Sequence, residues 1–132
     1  MSPLKILIVD DNEAVRSGLR TLLLSSEWSI CGEARDGLEA VEITRSIRPD
    51  LVIMDVSMPR MDGMAATRII RREIPETAVL IISQNDPKVV ARQAAEVDAR
   101  GWLSKSELGH ALLPAIQRLV IWNQLLQSNY GL

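Results

Sequence analysis

Residues 50–63 read DLVIMDVSMPRMDG: an apolar run that ends on an aspartate, a turn carrying a proline, and an Asp-Gly pair that opens a helical pattern. Leu51 to Met54 (LVIM) is continuously apolar rather than alternating, the pattern of a parallel strand covered on both faces. Two more runs of the same kind, Ile6 to Val9 (ILIV) and Val79 to Ile82 (VLII), flank it. Alone, each run reads equally as a buried helix fragment; the helix-length segments between them decide for strands. Val15, Leu19, Leu22 and Leu23 stand on one helical face after the first run. Leu38 to Ile47 is helical in pattern after Asp36-Gly37 and stops before Pro49. Asp62 is expected to cap a third helix carrying Ala66, Ile70 and Ile74 and closed by Pro75. Asp86-Pro87, a cap followed by a first-turn proline, opens a fourth, Ala-rich helix through Ala95. Weaker strands at Ser29 to Ala34 and Gly101 to Leu103, and a last helix from about Ser106 with Leu112, Ile116 and Leu119, complete five βα units. That pattern is α/β with a parallel sheet.

The composition fits one domain of 132 residues, 47% of them apolar and 24% charged. Phe is absent, so the core must be aliphatic. A net charge of −2 offers no electrostatic footprint for nucleic acid or an anionic membrane. The single cysteine, Cys31, excludes an internal disulfide, suits a reducing compartment, and is expected to be a small buried hydrophobe on the second strand. No apolar run approaches the roughly 20 residues of a membrane span. MSPLKILIVDD lacks the pattern of a signal peptide, so a cytoplasmic location is expected.

Ligands of open α/β sheets bind outside the carboxyl ends of the strands. The first strand ends in Asp10-Asp11, the third in Asp55, the fourth in Ser83, and the fifth leads to Lys105. Taken singly, each has an ordinary explanation: Asp11 or Asn12 as a helix cap, Asp55 as a turn former before Pro59, Ser83 as a loop hydroxyl, Lys105 as a solvated cation. Their convergence on one sheet edge does not. Three carboxylates in one pocket require a cation, and oxygen-only ligands favour Mg²⁺, which recruits phosphoryl groups. Asp55 is then the expected nucleophile, Ser83 a hydrogen-bond donor, and Lys105 the counter-ion of phosphoryl oxygens.

These motifs resemble the receiver domain of two-component response regulators, with ILIVDDN at 6–12, DLVIMDVSMPRMDG at 50–63, Ser83 after VLII and GWLSK at 101–105. The likeness runs from residue 4 to about 120, and CGEARDGLEAVE, MDVSMPRMDG and ARGWLSK place it nearest the NarL/LuxR-type subgroup. It implies a single receiver domain over 1–132, with 121–132 as a C-terminal helix extension. The implied fold is a (βα)5 flavodoxin-like, doubly wound sheet in strand order 2-1-3-4-5. It further implies phosphorylation of Asp55 by a sensor histidine kinase. Mg²⁺ would be held by Asp11, Asp55 and the Ser57 carbonyl, with Asp10 acting through water. Ser83 and Trp102 would form the switch pair, and the output face would be the fourth helix, fifth strand and fifth helix, here with Val89, Arg92, Glu96 and Trp102.

Three residues depart from the family pattern. Trp102 stands where Tyr is usual, Ser106 replaces the proline that many receivers carry after the lysine, and Asp98 falls where Gly normally ends the fourth helix. No helix-turn-helix domain fits in these residues, so direct nucleic-acid binding is not expected of this segment, and output is expected through a partner or an effector domain. The stretch Leu119 to Leu126 (LVIWNQLL) leaves Val120, Trp122, Leu125 and Leu126 without an evident core, which fits equally a longer helix folded back on its own domain and a self-association surface or the first turns of a linker; the second reading predicts a weak homodimer that depends on Trp122. His110 is expected on the surface, and Arg45/Arg48 and Arg68/Arg71/Arg72 as solvated helix faces.

Competing functions fare worse. A phosphatase with an aspartyl nucleophile normally has a second acid two residues on, where this chain has Ser57, and it needs a cap over the site. A flavin module needs a Ser/Thr/Gly-rich loop after the first strand, where Asp10-Asp11 would repel phosphate. A dinucleotide enzyme needs G-x-G-x-x-G, which is absent. The acids therefore point to a regulatory phospho-acceptor rather than an enzyme acting on a diffusible substrate.

Overall fold

The computed structural model describes residues 4–130, with side chains as far as Ile121. Five strands alternate with five helices: β1 (Lys5–Val9), α1 (Glu13–Leu23), β2 (Ser29–Ala34), α2 (Gly37–Ile47), β3 (Leu51–Asp55), α3 (Gly63–Glu73), β4 (Ala78–Ser83), α4 (Pro87–Glu96), β5 (Gly101–Ser104) and α5 (Leu108–Tyr130). The sheet is parallel throughout in the order β2-β1-β3-β4-β5, as the resemblance implied. The three continuously apolar runs are its three central strands, and Ile6 to Val9, Val52 to Met54 and Val79 to Ile82 are at most 1% exposed.

Each strand sends alternate residues to opposite faces. Leu7, Val9, Val52, Met54, Val79 and Ile81 pack beneath α2, α3 and α4. Ile6, Ile8, Ile53, Leu80 and Ile82 pack beneath α1 and α5 through Leu19, Leu23, Leu112 and Ile116. Helix starts follow the expected polar caps: Asn12 accepts from the Ala14 and Val15 amides, Asp36 from Glu39, Asp62 from Ala65, and Asp86 from Lys88. Asp98 adopts the left-handed conformation expected of it, with φ 58°. Arg48 does the same with φ 56° ahead of Pro49, because a residue before proline is disfavoured in the helical region.

Several expectations need correction. The chain after β5 makes a 3₁₀ turn over Lys105–Glu107 before α5 begins, two residues later than the pattern suggested. Cys31 is half-buried: β1 and β2 slip register where Ile6 faces Ile30 and Leu7 faces Gly32, so Cys31 is the extra residue of a bulge on an edge strand. Val120 does not lack a core, since it packs partly buried against the α1/α5 cluster. Trp122, Leu125 and Leu126 lie outside the described side chains. His110 is exposed as expected. The arginines are not merely solvated: Arg45 pairs with Glu73 at 2.8 Å and Arg48 with Glu76 at 3.1 Å. Arg71 is 11% exposed and donates to the carbonyls of Pro75, Thr77 and Asp98 at 2.7, 2.8 and 3.1 Å. Arg71 thus serves loop carbonyls beyond the end of its own helix, a role that a count of charges per face does not reveal.

Candidate functional site

β1 and β3 are neighbours whose connections leave toward opposite ends of the sheet, so their carboxyl ends frame a crevice. Asp10 continues β1, its amide donating to the Ala34 carbonyl at 3.1 Å. Its Oδ1 accepts from the Asn12 amide at 2.9 Å, a local turn that frees the Asn12 side chain to cap α1. Asp10 is fully buried and Asp11 exposed at the turn. Asp55, the last residue of β3, is 3% exposed. Carboxylate oxygens of Asp10, Asp11 and Asp55 all lie within 4.8 Å of one another.

Lys105 reaches in from the turn after β5, its Nζ 2.7 Å from Asp10 Oδ2 and 3.0 Å from Asp55 Oδ1. Burial works against the Lys105 charge, but the two carboxylates outweigh it and raise its pKa above the ordinary lysine value. Burial pushes the Asp55 carboxyl up to about 6; Asp10 and Asp11 add to the rise and Lys105 pulls against it. At neutral pH three carboxylates and one ammonium leave the pocket two negative charges in excess, which suits a divalent cation. The fit also shows in one atom. Asp10 Oδ2 is buried 2.7 Å from the ammonium and has no hydrogen-bond partner apart from that contact. A buried carboxylate oxygen with a lone pair to spare can receive a water that a cation holds.

The raised Asp55 pKa has a signed consequence. Below about pH 6 a proton occupies the oxygen that a cation requires. Mg²⁺ affinity, read by calorimetry, should be flat above that point and fall by about tenfold per pH unit below it. For the metal-free fold the sign is opposite, since a raised pKa means that the folded state holds the proton more tightly. That contribution to stability is present in acid and is lost as pH rises through about 6. Asp55→Asn should abolish both dependences.

The loop after β3 is folded tightly over Asp55. The Gly63 amide donates to the Val56 carbonyl at 2.9 Å, and a Cβ on Gly63 would sit 1.9 Å from the Asp55 carbonyl oxygen. Only glycine allows α3 to start this close to the strand it follows. Arg60, at φ 65°, turns the loop and pairs with Asp36 at 2.9 Å, while the Gly37 amide donates to the Met61 carbonyl at 2.8 Å. The start of α2 thereby grips the loop that carries Ser57, which is exposed.

Ser83 ends β4 and is 3% exposed; its hydroxyl accepts from the Asn85 amide at 3.0 Å. Ser83 is paired with Ser104 and Ile81 with Trp102, so Ser83 and Trp102 share the sheet face under α4. Trp102 is 36% exposed there, and Val89, Arg92 and Glu96 on α4 are exposed as well. The structure thus gathers Asp10, Asp11, Asp55 and Lys105 directly. Ser57 lies on the exposed loop two residues after Asp55, Ser83 is buried at the end of the neighbouring strand β4, and Trp102 lies along the adjoining face.

Sequence reasoning passed over Arg16, which is 6% exposed and donates from Nη1 to the Asp10 carbonyl at 2.6 Å. In the sequence it stands between Val15 and Leu19 with no sign of its partners, one of which, Glu33, comes from β2.

Comparison with known proteins agrees with this arrangement. Residues 6–117 match the family model of the response regulator receiver domain. The chain is 40% identical over 120 residues, 89% of its length, to the transcriptional regulatory protein PdtaR of Mycobacterium tuberculosis, of which it covers 57%. It is 44% identical over 79 residues, 59% of its length, to a protein-glutamate methylesterase/protein-glutamine glutaminase of Pyrococcus horikoshii, of which it covers 22%. The chain thus spans between about a fifth and somewhat over half the length of these relatives. Among solved structures, a LuxR-family two-component response regulator from Aurantimonas sp. superposes with a TM-score of 0.84 at 33% identity, over 91% of this chain and 86% of that one. Among the described residues no helix is long and apolar enough to cross a membrane. With the acids at the β1 and β3 ends, the lysine after β5 and a family match that runs through every strand, this chain belongs to the response regulator receiver domain family.

Proposed function

We propose that this chain is a phosphorylation-controlled switch in which Asp55 takes a phosphoryl group from a sensor histidine kinase in a Mg²⁺-dependent reaction. One observation carries the reading: two buried carboxylates, Asp10 and Asp55, share a single ammonium beside a third acid at the sheet edge. Asp11, Asp55 and the Ser57 carbonyl are the residues that would hold the metal, with Asp10 acting through water. The bound cation supplies charge neutralisation for phosphoryl oxygens. An Asp55 oxygen attacks phosphorus, the phosphorus–nitrogen bond of the donor phosphohistidine breaks, and the electron pair leaves with the imidazole. Lys105, freed from Asp55 Oδ1, pairs with a phosphoryl oxygen, and the Ser83 hydroxyl donates to another. Trp102 then turns from its half-exposed position toward the space behind Ser83, which alters the α4, β5 and α5 face presented to an output partner or effector domain. The chain's own chemistry is confined to its phosphorylation and dephosphorylation.

Intact mass after incubation with acetyl phosphate tests this. The wild type should gain one phosphoryl group with Mg²⁺ and none with chelator, and Asp55→Asn should gain none in either case. Equal uptake by Asp55→Asn would move the acceptor elsewhere.

A further inference from the structure

We propose that Arg16 is a positioning residue for the metal pocket: its buried guanidinium holds the Asp10 carbonyl and so sets the orientation of the peptide from which Asp10 and Asp11 project. The inference rests on the cation reading of that pocket given above. A peptide group is planar, so fixing the Asp10 oxygen fixes the plane that leads into Asp11. The Asp10 carboxylate is held separately by the Asn12 amide. The main chain between the two acids therefore has its own clamp.

Every face of the guanidinium is in use. Nη1 donates to the Asp10 carbonyl at 2.6 Å, Nε to Glu33 Oε1 at 3.2 Å, and Nη2 to Glu13. A buried cation is costly unless it is paired, and here both acids are held twice. Arg20 binds Glu33 through both its oxygens at 2.6 and 2.7 Å and Glu13 at 2.8 Å. Two arginines and two glutamates make a neutral network, so the clamp brings no net charge toward the three aspartates. Arg16 also takes a main-chain oxygen rather than a carboxylate, and so does not compete with a cation for ligand atoms. Lys105, which touches two of the carboxylates, does compete. Arg20 shares both acids with Arg16 but makes no contact with Asp10, and this difference separates positioning from plain structural support.

The test is Mg²⁺ titration by calorimetry, with thermal unfolding of the metal-free form, on the wild type, Arg16→Met, Arg16→Lys and Arg20→Met. Arg16→Met should bind Mg²⁺ roughly tenfold more weakly, the range found when groups that orient metal ligands are removed. Arg16→Lys, which can still donate to the Asp10 carbonyl, should recover part of the loss. Arg20→Met should lose stability yet keep its Mg²⁺ affinity within about twofold, since no contact to the ligand peptide is removed. At saturating Mg²⁺ the rate of uptake from acetyl phosphate should return close to wild type in Arg16→Met, because the defect lies in affinity. Wild-type affinity in folded Arg16→Met, or equal weakening by Arg20→Met, would overturn the proposal. Should Arg16→Met fail to fold, Glu33→Gln, which loosens Arg16 without removing it, must weaken Mg²⁺ binding for the proposal to stand. Absence of Mg²⁺ binding by the wild type would instead bring down the cation reading itself.

Discussion

Gly63→Ala is expected to be the most damaging single-methyl change in this protein. The added Cβ would sit 1.9 Å from the Asp55 carbonyl oxygen and 3.0 Å from the Met54 side chain, and the first of these is main chain that cannot turn aside. Either β3 or the start of α3 must retreat, and both carry parts of the site. A loss of about 3 kcal/mol is expected, seen as a melting temperature lower by roughly 10 °C, together with defective phosphoryl uptake in whatever remains folded. Gly18→Ala on α1 is the control. Nothing lies within 4 Å of its Cβ position, and relief of an interior helical glycine should stabilise the protein by about 1 kcal/mol. Similar melting temperatures for the two variants would mean that the α3 start is far softer than its geometry indicates.

The second large effect is that of Lys105→Met, and its size should depend on metal. Without Mg²⁺ the substitution leaves Asp10 and Asp55, at 0% and 3% exposure, with no cation between them. Breaking a buried charge pair costs about 3 kcal/mol, moderated here because Asp55 can take up a proton. With Mg²⁺ the deficit should narrow by about 1 kcal/mol. The pocket charge falls from two negatives in excess to three, the competing ammonium is gone, and the variant should bind the ion several-fold more tightly than the wild type. Thermal melts with and without Mg²⁺ read both arms. A variant destabilised equally in the two conditions would make Lys105 a packing residue, and its assignment to phosphoryl oxygens would fall with it.

The site acids were legible in the sequence for a physical reason. A parallel strand buried on both faces is a visible apolar run, and the residue where the run stops is the residue at the ligand-binding edge. Asp10, Asp55 and Ser83 could be marked this way without knowing the register, and Lys105 came from a weaker strand with the same logic. What could not be read was any contact made across elements by a side chain whose own surroundings look ordinary. Arg16 lies beside Val15 and finds its acids on α1 and β2. Arg71 sits among arginines of a polar helix face yet is almost covered. Val120 looks unplaced in the sequence because the depth of the α1/α5 seam is a property of two helices together. Glycine carries even less: Gly63 looks like an ordinary helix start until the Asp55 carbonyl is seen where its Cβ would go.

Arg71 has a mechanical consequence. Its guanidinium fastens the segment after α3, through Pro75 and Thr77, to the main chain at Asp98, just beyond the end of α4. That end of α4 is further tied by the Ala99 amide to the Ala94 carbonyl at 2.9 Å. At the other end, residues 84–89 are all exposed. A ten-residue helix is about 15 Å long. If α4 moves, these ties favour a swing about Asp98, and a rotation of 10° would carry its tip roughly 2.5 Å. The tip is the segment that follows Ser83, so such travel would be greatest at the sheet edge that carries the acids and least at Arg71. Val89, close to the tip, would then be carried much further than Glu96 beside the pivot.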